Sequence, residues 1–451
     1  MGVAFQSQGN LNDAIDSYKR VLKLKPNFAE AHSNLGVALR DNGELDAAIE
    51  HYYRAIKIRP NYVDALNNLG VALKDKGELN AAIDSHQLAL KLEPNCAETY
   101  YNLGVVQSDK ADPDAAIECY KKAVKISPNN AEAQHNLSLE LLKIHKFQQG
   151  FKLQEWRWKA NQMIGKPLET LQPRWNGEKN KRVFIWREQG IGDEIMFASL
   201  IHEIYAISSK LIVNCDKRLI SLFQRSFPKD IIYQSDRSLV TDDLYDFHIP
   251  IGSLPCVFRT TIKSFPKIPN GYLRQDEAKT HQLRQKLLMG EADTLIGISW
   301  LTTSAAHNSI NRNIALPELA QALSSSKIQL VCLQYGDVSD QINRLKKEFG
   351  INIIQVSEID NKKDIDGLAS LIMACDKVVS VANATIHLAG ALGADATVLL
   401  PFSARWLWGT NQLSSYWYTS VTPWRQKTIG DWSSLLKSLS SSMKIEATDP
   451  K

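Results

Sequence analysis

Proline recurs through the first third of the chain at a step of 34 residues: Pro26, Pro60, Pro94 and Pro128, each followed by an asparagine (Asn27, Asn61, Asn95, Asn129). The same step runs from Gly9 through Gly43 and Gly77 to Ala111, from Ala14 through Ala48 and Ala82 to Ala116, and from Tyr18 through Tyr52 and His86 to Tyr120. Such a period means a helical unit that cannot bury its apolar face alone and must stack on copies of itself. The small residues are expected to let paired helices approach closely. The aromatic is expected to fill the space between neighbouring pairs. Proline stops the second helix of each pair, because it lacks an N–H and clashes with the preceding turn.

Gly, Ala, Tyr and Pro held in phase at this step are the tetratricopeptide-repeat signature. Gly2 keeps the phase with Gly36, but Asn34-Leu35 has no counterpart before it, so the chain is expected to begin inside a helix, with room for further repeats upstream. Gly150 keeps the phase after Ala116. Residues 129–144 and 147–158 read as the last helix pair, which assigns the array to residues 1–160 and a linker to 161–181. Asn34, Asn68, Asn102 and Asn136 also recur in phase, each before a leucine, on the first helix of each pair. An asparagine amide both donates and accepts, and a column of them suits an extended peptide held by its backbone. The column resembles the asparagine ladder in the repeats of protein O-linked N-acetylglucosamine transferases, although asparagine is common there in repeats of many functions. The implied partner is a protein or peptide in the repeat groove.

The chain has 451 residues and a net charge of +4, too mild a balance for nucleic-acid binding, which concentrates positive charge on one face. No apolar stretch approaches the ~18 residues of a membrane helix, and the start carries no secretory pattern. The six cysteines are scattered and form no Cys-x-x-Cys pair, as expected of reduced thiols in a cytoplasmic protein.

Beyond the linker the period changes. Short apolar runs at 182–186, 211–213, 231–233 and 247–249 alternate with helical stretches, the first from Glu194 to Ser208. A second series of strands follows at 295–300, 328–334, 351–354, 377–381 and 396–400. Strands alternating with helices predict parallel α/β sheets, here two Rossmann-like lobes at 182–290 and 291–445. The fold class is therefore α + α/β. Gly190-Ile-Gly192 is no dinucleotide fingerprint, because Ile195 stands where the third glycine is required. Walker, Gly-x-Ser-x-Gly and His-Glu-x-x-His motifs are absent.

Several segments, in order from about residue 147 to 440, resemble the heptosyltransferase-like glycosyltransferases of family nine in the branch fused to tetratricopeptide repeats. They include Pro173-Arg-Trp-Asn-Gly177, Glu188-Gln-Gly-Ile-Gly-Asp193, Gly297-Ile-Ser-Trp300, Leu333-Gln-Tyr-Gly336, His387-Leu-Ala-Gly-Ala-Leu-Gly393 and Leu400-Pro-Phe402. The resemblance implies a GT-B pair of lobes, with the acceptor on the first and a nucleotide-sugar donor on the second. It implies an inverting hexosyl- or heptosyl-transferase acting on a protein or glycan. The nucleotide sugar is a co-substrate, and no metal or other cofactor is expected. Asp193 would be the base that deprotonates the acceptor hydroxyl, on the acceptor loop of Gly190 and Gly192; otherwise it merely caps a helix. Asn383, Ala384, Thr385 and His387, on the turn into a helix, would bind the donor; His387 otherwise simply packs at the lobe interface. Arg312 is the candidate phosphate cation, because guanidinium matches phosphate geometry; otherwise it is a solvated loop residue. One departure stands out: Ala382 occupies a position that is usually acidic in the family. The absence of that acid implies a different donor sugar, or a weakened or lost activity, and leaves open a catalytically inactive scaffold, with repeats that bind partners and a vestigial transferase domain. Asp364 and Asp366 read as helix-capping residues rather than metal ligands. Arg405-Trp-Leu-Trp408 would bring aromatics either to the cleft or to the core.

Overall fold

The computed structural model describes residues 2–160, 166–288, 292–302, 312–410 and 413–446, with side chains through Ser442. The chain forms two compact units, one of residues 1–144 with 159–161, the other of 145–158 with 162–451.

The first unit is an array of antiparallel helix pairs. Leu11–Leu24, Leu45–Ile58, Leu79–Leu92 and Pro113–Ile126 are the second helices; Ala29–Asp41, Val63–Lys76, Ala97–Asp109 and Ala131–Lys143 are first helices. Each second helix ends two residues before its proline. The small-residue columns do two different jobs, where a single one was expected. Gly9, Gly43 and Gly77 have φ of 77°, 85° and 90°, and a Cβ there would meet nothing within 4 Å. They supply a left-handed turn, not close approach. Ala111 takes the same conformation at φ 58° and His145 continues the series at φ 64°. Close approach belongs to Gly36, Gly70 and Gly104, where a Cβ would lie 2.7, 2.6 and 2.6 Å from the rings of Tyr52, His86 and Tyr120. Ala48, Ala82 and Ala116 are wholly buried beside them.

The second unit holds two parallel sheets. β1 (Arg182–Trp186), β2 (Lys210–Asn214), β3 (Ile232–Gln234) and β4 (Phe247–Pro250) run in the order β3-β2-β1-β4. β5 (Thr294–Ser299), β6 (Ile328–Cys332), β7 (Ile353–Ile354), β8 (Lys377–Val381), β9 (Ala396–Leu400) and β10 (Val421–Arg425) run in the order β10-β9-β8-β5-β6-β7. Central strands such as β9 are buried along their length, as strands covered on both faces must be. β10 lies outside the sequence reading and contains Pro423. It is an edge strand paired only with β9, where a missing N–H is tolerated. The helix expected from Glu194 begins earlier, at Ile191, and tightens into a 3₁₀ turn at Ala198–Leu200 before ending at Tyr205. Helices Glu277–Leu287 and Ser339–Phe349 also lie outside the sequence reading.

Residues 147–158, expected to close the array, group with the α/β unit. A buried ion pair accounts for this. Arg157, 2% exposed, donates from Nε and Nη2 to the two carboxylate oxygens of Glu188 at 3.0 and 2.8 Å, and the Gly252 N–H donates to the same carboxylate at 2.9 Å. Between the two sheets, Arg225 grips Asp366 through both carboxylate oxygens (2.6 and 2.8 Å). Arg218 donates to the Lys362 carbonyl at 2.7 Å, and the N–H groups of Tyr272 and Leu273 share the Ala391 carbonyl.

Candidate functional site

In an open parallel sheet, ligands bind beyond the carboxyl ends of the strands, where the strand order reverses. In the first sheet β2 and β4 lie on opposite sides of β1, so the reversal falls at the ends of β1 and β4. In the second, β6 and β8 flank β5, so it falls at the ends of β5 and β8. The segment carrying Asp193, a glycine turn and the start of the helix Ile191–Phe197, follows β1, and the turn Ala382–Thr385 follows β8. The two meet: a Cβ at Gly192 would lie 3.2 Å from His387 Cδ2 and 3.5 Å from Ala384 Cα.

Asp193 is not a helix cap. Gly190 holds the cap position of the helix Ile191–Phe197, with no side chain to offer, and Asp193 stands in the first turn. Its carboxyl is desolvated, yet its residue surface stays partly open. Burial pushes its pKa up, and Arg405 and the Gly190 amide act in the opposite direction. The neighbouring Glu194 is 1% exposed and pushed up to about 7 by burial; it accepts from the Asp216 N–H at 2.8 Å.

Arg312 is 9% exposed, and its Nε and Nη2 are buried without a hydrogen-bond partner among the described residues. Burial lowers its pKa, and the like charge of Arg405 lowers it further. Arg405 is itself exposed and acts electrostatically on Asp193, Arg312 and His387 alike. Arg405 is thus within electrostatic reach of both Asp193 and Arg312, and Arg312 has no carboxylate among the described residues to neutralise it. The sequence singled out Arg405–Trp408 for its aromatics, and the charge of Arg405 was missed.

Asn383 is a structural residue of the crevice. It is 6% exposed, and its Oδ1 accepts from the Thr385 N–H at 3.0 Å and the Ser380 hydroxyl at 3.1 Å. Its Nδ2 donates to Ser299 Oγ at 2.7 Å and the Leu301 carbonyl at 3.0 Å. The amide therefore stitches β8 to β5 and caps the helix Ala384–Leu392. Thr385 is buried, with its hydroxyl on the Leu333 carbonyl at 3.4 Å. Ala382 and Ala384 are the partly open residues of this turn. His387 is 7% exposed, and burial, with Arg405 adding to it, depresses its pKa to about 3. A separate open groove of about 610 Å³ lies along His145–Gln149 and Thr260–Lys263, and none of these site residues lines it.

In the repeat unit, Asn34, Asn68, Asn102 and Asn136 are all partly open. Two of them brace the array: Asn102 Nδ2 donates to Asn67 Oδ1 at 3.2 Å, and Asn136 Nδ2 to the Tyr101 hydroxyl at 3.4 Å. Each bond joins first helices of successive pairs.

Family models described as tetratricopeptide repeat match residues 1–63, 51–84 and 97–130, and one described as TPR repeat matches 72–110. The N-terminal unit is a tetratricopeptide-repeat array. The solved structure of MamA is 30% identical, with 36% of this chain covering 98% of that one at a TM-score of 0.32. Pseudomonas aeruginosa pilF is 23% identical, with 34% of this chain covering 71% of that one at a TM-score of 0.33. Protein FlbA of Caulobacter vibrioides is 28% identical over 309 residues, which is 65% of this chain and 51% of FlbA. The chain thus spans about half the length of that curated relative. Among the described residues no helix is long and apolar enough to cross a membrane, and no cluster of His, Cys, Asp or Glu has the makings of a metal site.

Proposed function

We propose that the α/β unit is an inverting glycosyltransferase of GT-B type. It moves a hexosyl or heptosyl group from a nucleotide sugar to a protein or glycan, and the repeats recruit the acceptor or a partner protein. The reading rests above all on Arg312: a buried guanidinium whose Nε and Nη2 have no hydrogen-bond partner among the described residues, within reach of the charge of a second arginine, suits an anion. In the proposed reaction Asp193 takes the proton of an acceptor hydroxyl, and the freed oxygen attacks the anomeric carbon. The bond from that carbon to the diphosphate breaks, and the departing oxygen carries its electron pair into the field of Arg312 and Arg405. Those cations neutralise the leaving group, the task a divalent ion performs elsewhere. The raised pKa of Asp193 suits a base working near neutral pH. A cytoplasmic location accords with free thiols at all six cysteines.

The rival reading is a catalytically inactive scaffold, which Ala382 favours. Thermal shift of the full chain against a panel of nucleotide sugars and nucleoside diphosphates separates the two. Stabilisation by one diphosphate class, lost in Arg312→Met, supports the transferase. Silence across the panel supports the scaffold. For the repeats, Asn68→Ala with Asn102→Ala should weaken transfer to a peptide acceptor while leaving small acceptors unaffected.

A further inference from the structure

The first helices of the repeats carry further in-phase residues beside the asparagines. Glu30, Asp64, Glu98 and Glu132 recur at the 34-residue step, as do Val37, Val71, Val105 and Leu139, and Asp41, Asp75 and Asp109. Within one helix these positions and the asparagine stand at 30, 34, 37 and 41, a spacing that puts all four on one face. Every one of these residues is partly or fully open, whereas Leu35, Ala38 and Leu39 between them are buried. The fourth helix ends the series with Lys143, which is buried and held by Glu140 at 2.8 Å, so it adds no cation to the face. Cations answer only part of the acid. Arg59 pairs with Glu30, Arg40 with Asp41 at 2.9 Å, and Lys74 with Asp75 at 2.9 Å. Asp64, Glu98 and Asp109 enter no ion pair among the described residues, and Glu98 accepts a long bond from Asn67 Nδ2, at 3.4 Å. Burial pushes the Asp109 pKa up against the pull of Lys74 and Lys143, and Asp75 and Glu140 add to the rise. Asn102 and Asn136 each spend Nδ2 on the preceding first helix, while their Oδ1 atoms accept nothing among the described residues. The face thus offers acceptors and aliphatic surface and is short of donors.

We infer that this face of the repeat array binds an extended peptide whose lysine or arginine side chains meet Asp64, Glu98 and Asp109. The inference rests on the proposed role of the repeats in recruiting a protein, and it names the chemistry of that protein's docking segment. Complementary charge selects the occupant. Backbone N–H groups of the peptide suit the asparagine oxygens, and the valine column suits the methylene stems of long basic side chains. The step is set as well. Packed helices lie about 8–10 Å apart, and the bond from Asn102 to Asn67 shows that successive first helices are neighbours. An extended chain rises about 3.3 Å per residue, so it passes one repeat in about three residues. Basic residues at every third position therefore meet the acid column in register, and the same residues placed side by side do not.

The test is calorimetric titration of the full chain with capped synthetic peptides of about twelve residues, long enough to cross the described first helices at that step. One peptide carries lysine at every third position among alanine and serine. A second carries the same lysines side by side, and a third has glutamate in their place. The spaced lysine peptide should bind, the clustered one should bind several-fold more weakly, and the glutamate peptide should not bind. Asp64→Asn, Glu98→Gln and Asp109→Asn together should weaken the spaced peptide about tenfold, a factor of about two for each ion pair. The control removes as many carboxylates from the second helices, where Glu50, Asp84 and Glu118 also stand in phase. Glu50→Gln, Asp84→Asn and Glu118→Gln should leave the affinity unchanged, because exposed charges more than about 8 Å away are screened at physiological salt. Equal loss in the two variants overturns the contact with the first-helix acids. Equal binding of all three peptides overturns the basic preference and leaves the repeats as a peptide receptor. If no peptide binds, the inference fails, whereas nucleotide binding by the full chain still decides the transferase reading.

Discussion

The two units differ in how often each side chain's task is repeated. In the repeat array, the contact of Gly36 with Tyr52 recurs as Gly70 with His86 and as Gly104 with Tyr120. Losing one copy weakens one interface of several. In the α/β unit, the helix start with Asp193, the buried Arg312 and the contact of His387 with Tyr418 each occur once. Repetition spreads stability over many equivalent contacts, while the chemistry is concentrated in single residues.

Substitutions should expose that difference most strongly at Asp193. Asp193→Asn should reduce transfer roughly 100- to 10,000-fold, the range for removing a general base, with melting behaviour retained because the buried carboxyl already resists ionisation. Arg405→Gln sharpens the point. Arg405 holds the Asp193 pKa down, so its loss raises that pKa, and the rise of rate with pH should move to higher pH. A rate profile that stays in place would show that Asp193 is not the titrating base.

In the array, Gly104→Val should cost about 1–3 kcal/mol by overpacking, since a Cβ already falls 2.6 Å from Tyr120. Chemical denaturation of the full chain should show this in the transition of the repeats, with no change in nucleotide affinity. His86 is the odd member of the aromatic column. It is fully buried, and both of its ring nitrogens are without partners among the described residues. His86→Phe should therefore stabilise the array by about 1–2 kcal/mol. Burial lowers the His86 pKa to about 4, so the unfolded chain takes up a proton first as pH falls from about 6.5 toward 4. Stability should drop across that window in the wild type, and the drop should be shallower in His86→Phe. The smallest effect is at Ala111, in a left-handed turn that the preceding repeats give to glycine. Ala111→Gly should gain about 0.5–1 kcal/mol, measured by the same denaturation.

The repeat array is legible in the amino-acid order, because a task performed every 34 residues leaves the same residue type in the same phase. Most strands of the α/β unit are legible too, since strands buried on both faces read as apolar runs. Even so, the pattern did not separate the turn glycines from the contact glycines. Both are small residues in phase, and only φ and the surroundings of a Cβ tell them apart. It took the folded chain to reveal that Asn383 is consumed by hydrogen bonds to Ser299 and Leu301, 84 and 82 positions earlier, and that Nε and Nη2 of Arg312 have no hydrogen-bond partner among the described residues. Folding likewise brought Arg405 and Tyr418 to His387. Hydrogen bonding and charge depend on distance in space, and a chain folded into parallel sheets brings together residues whose spacing in sequence carries no period to read.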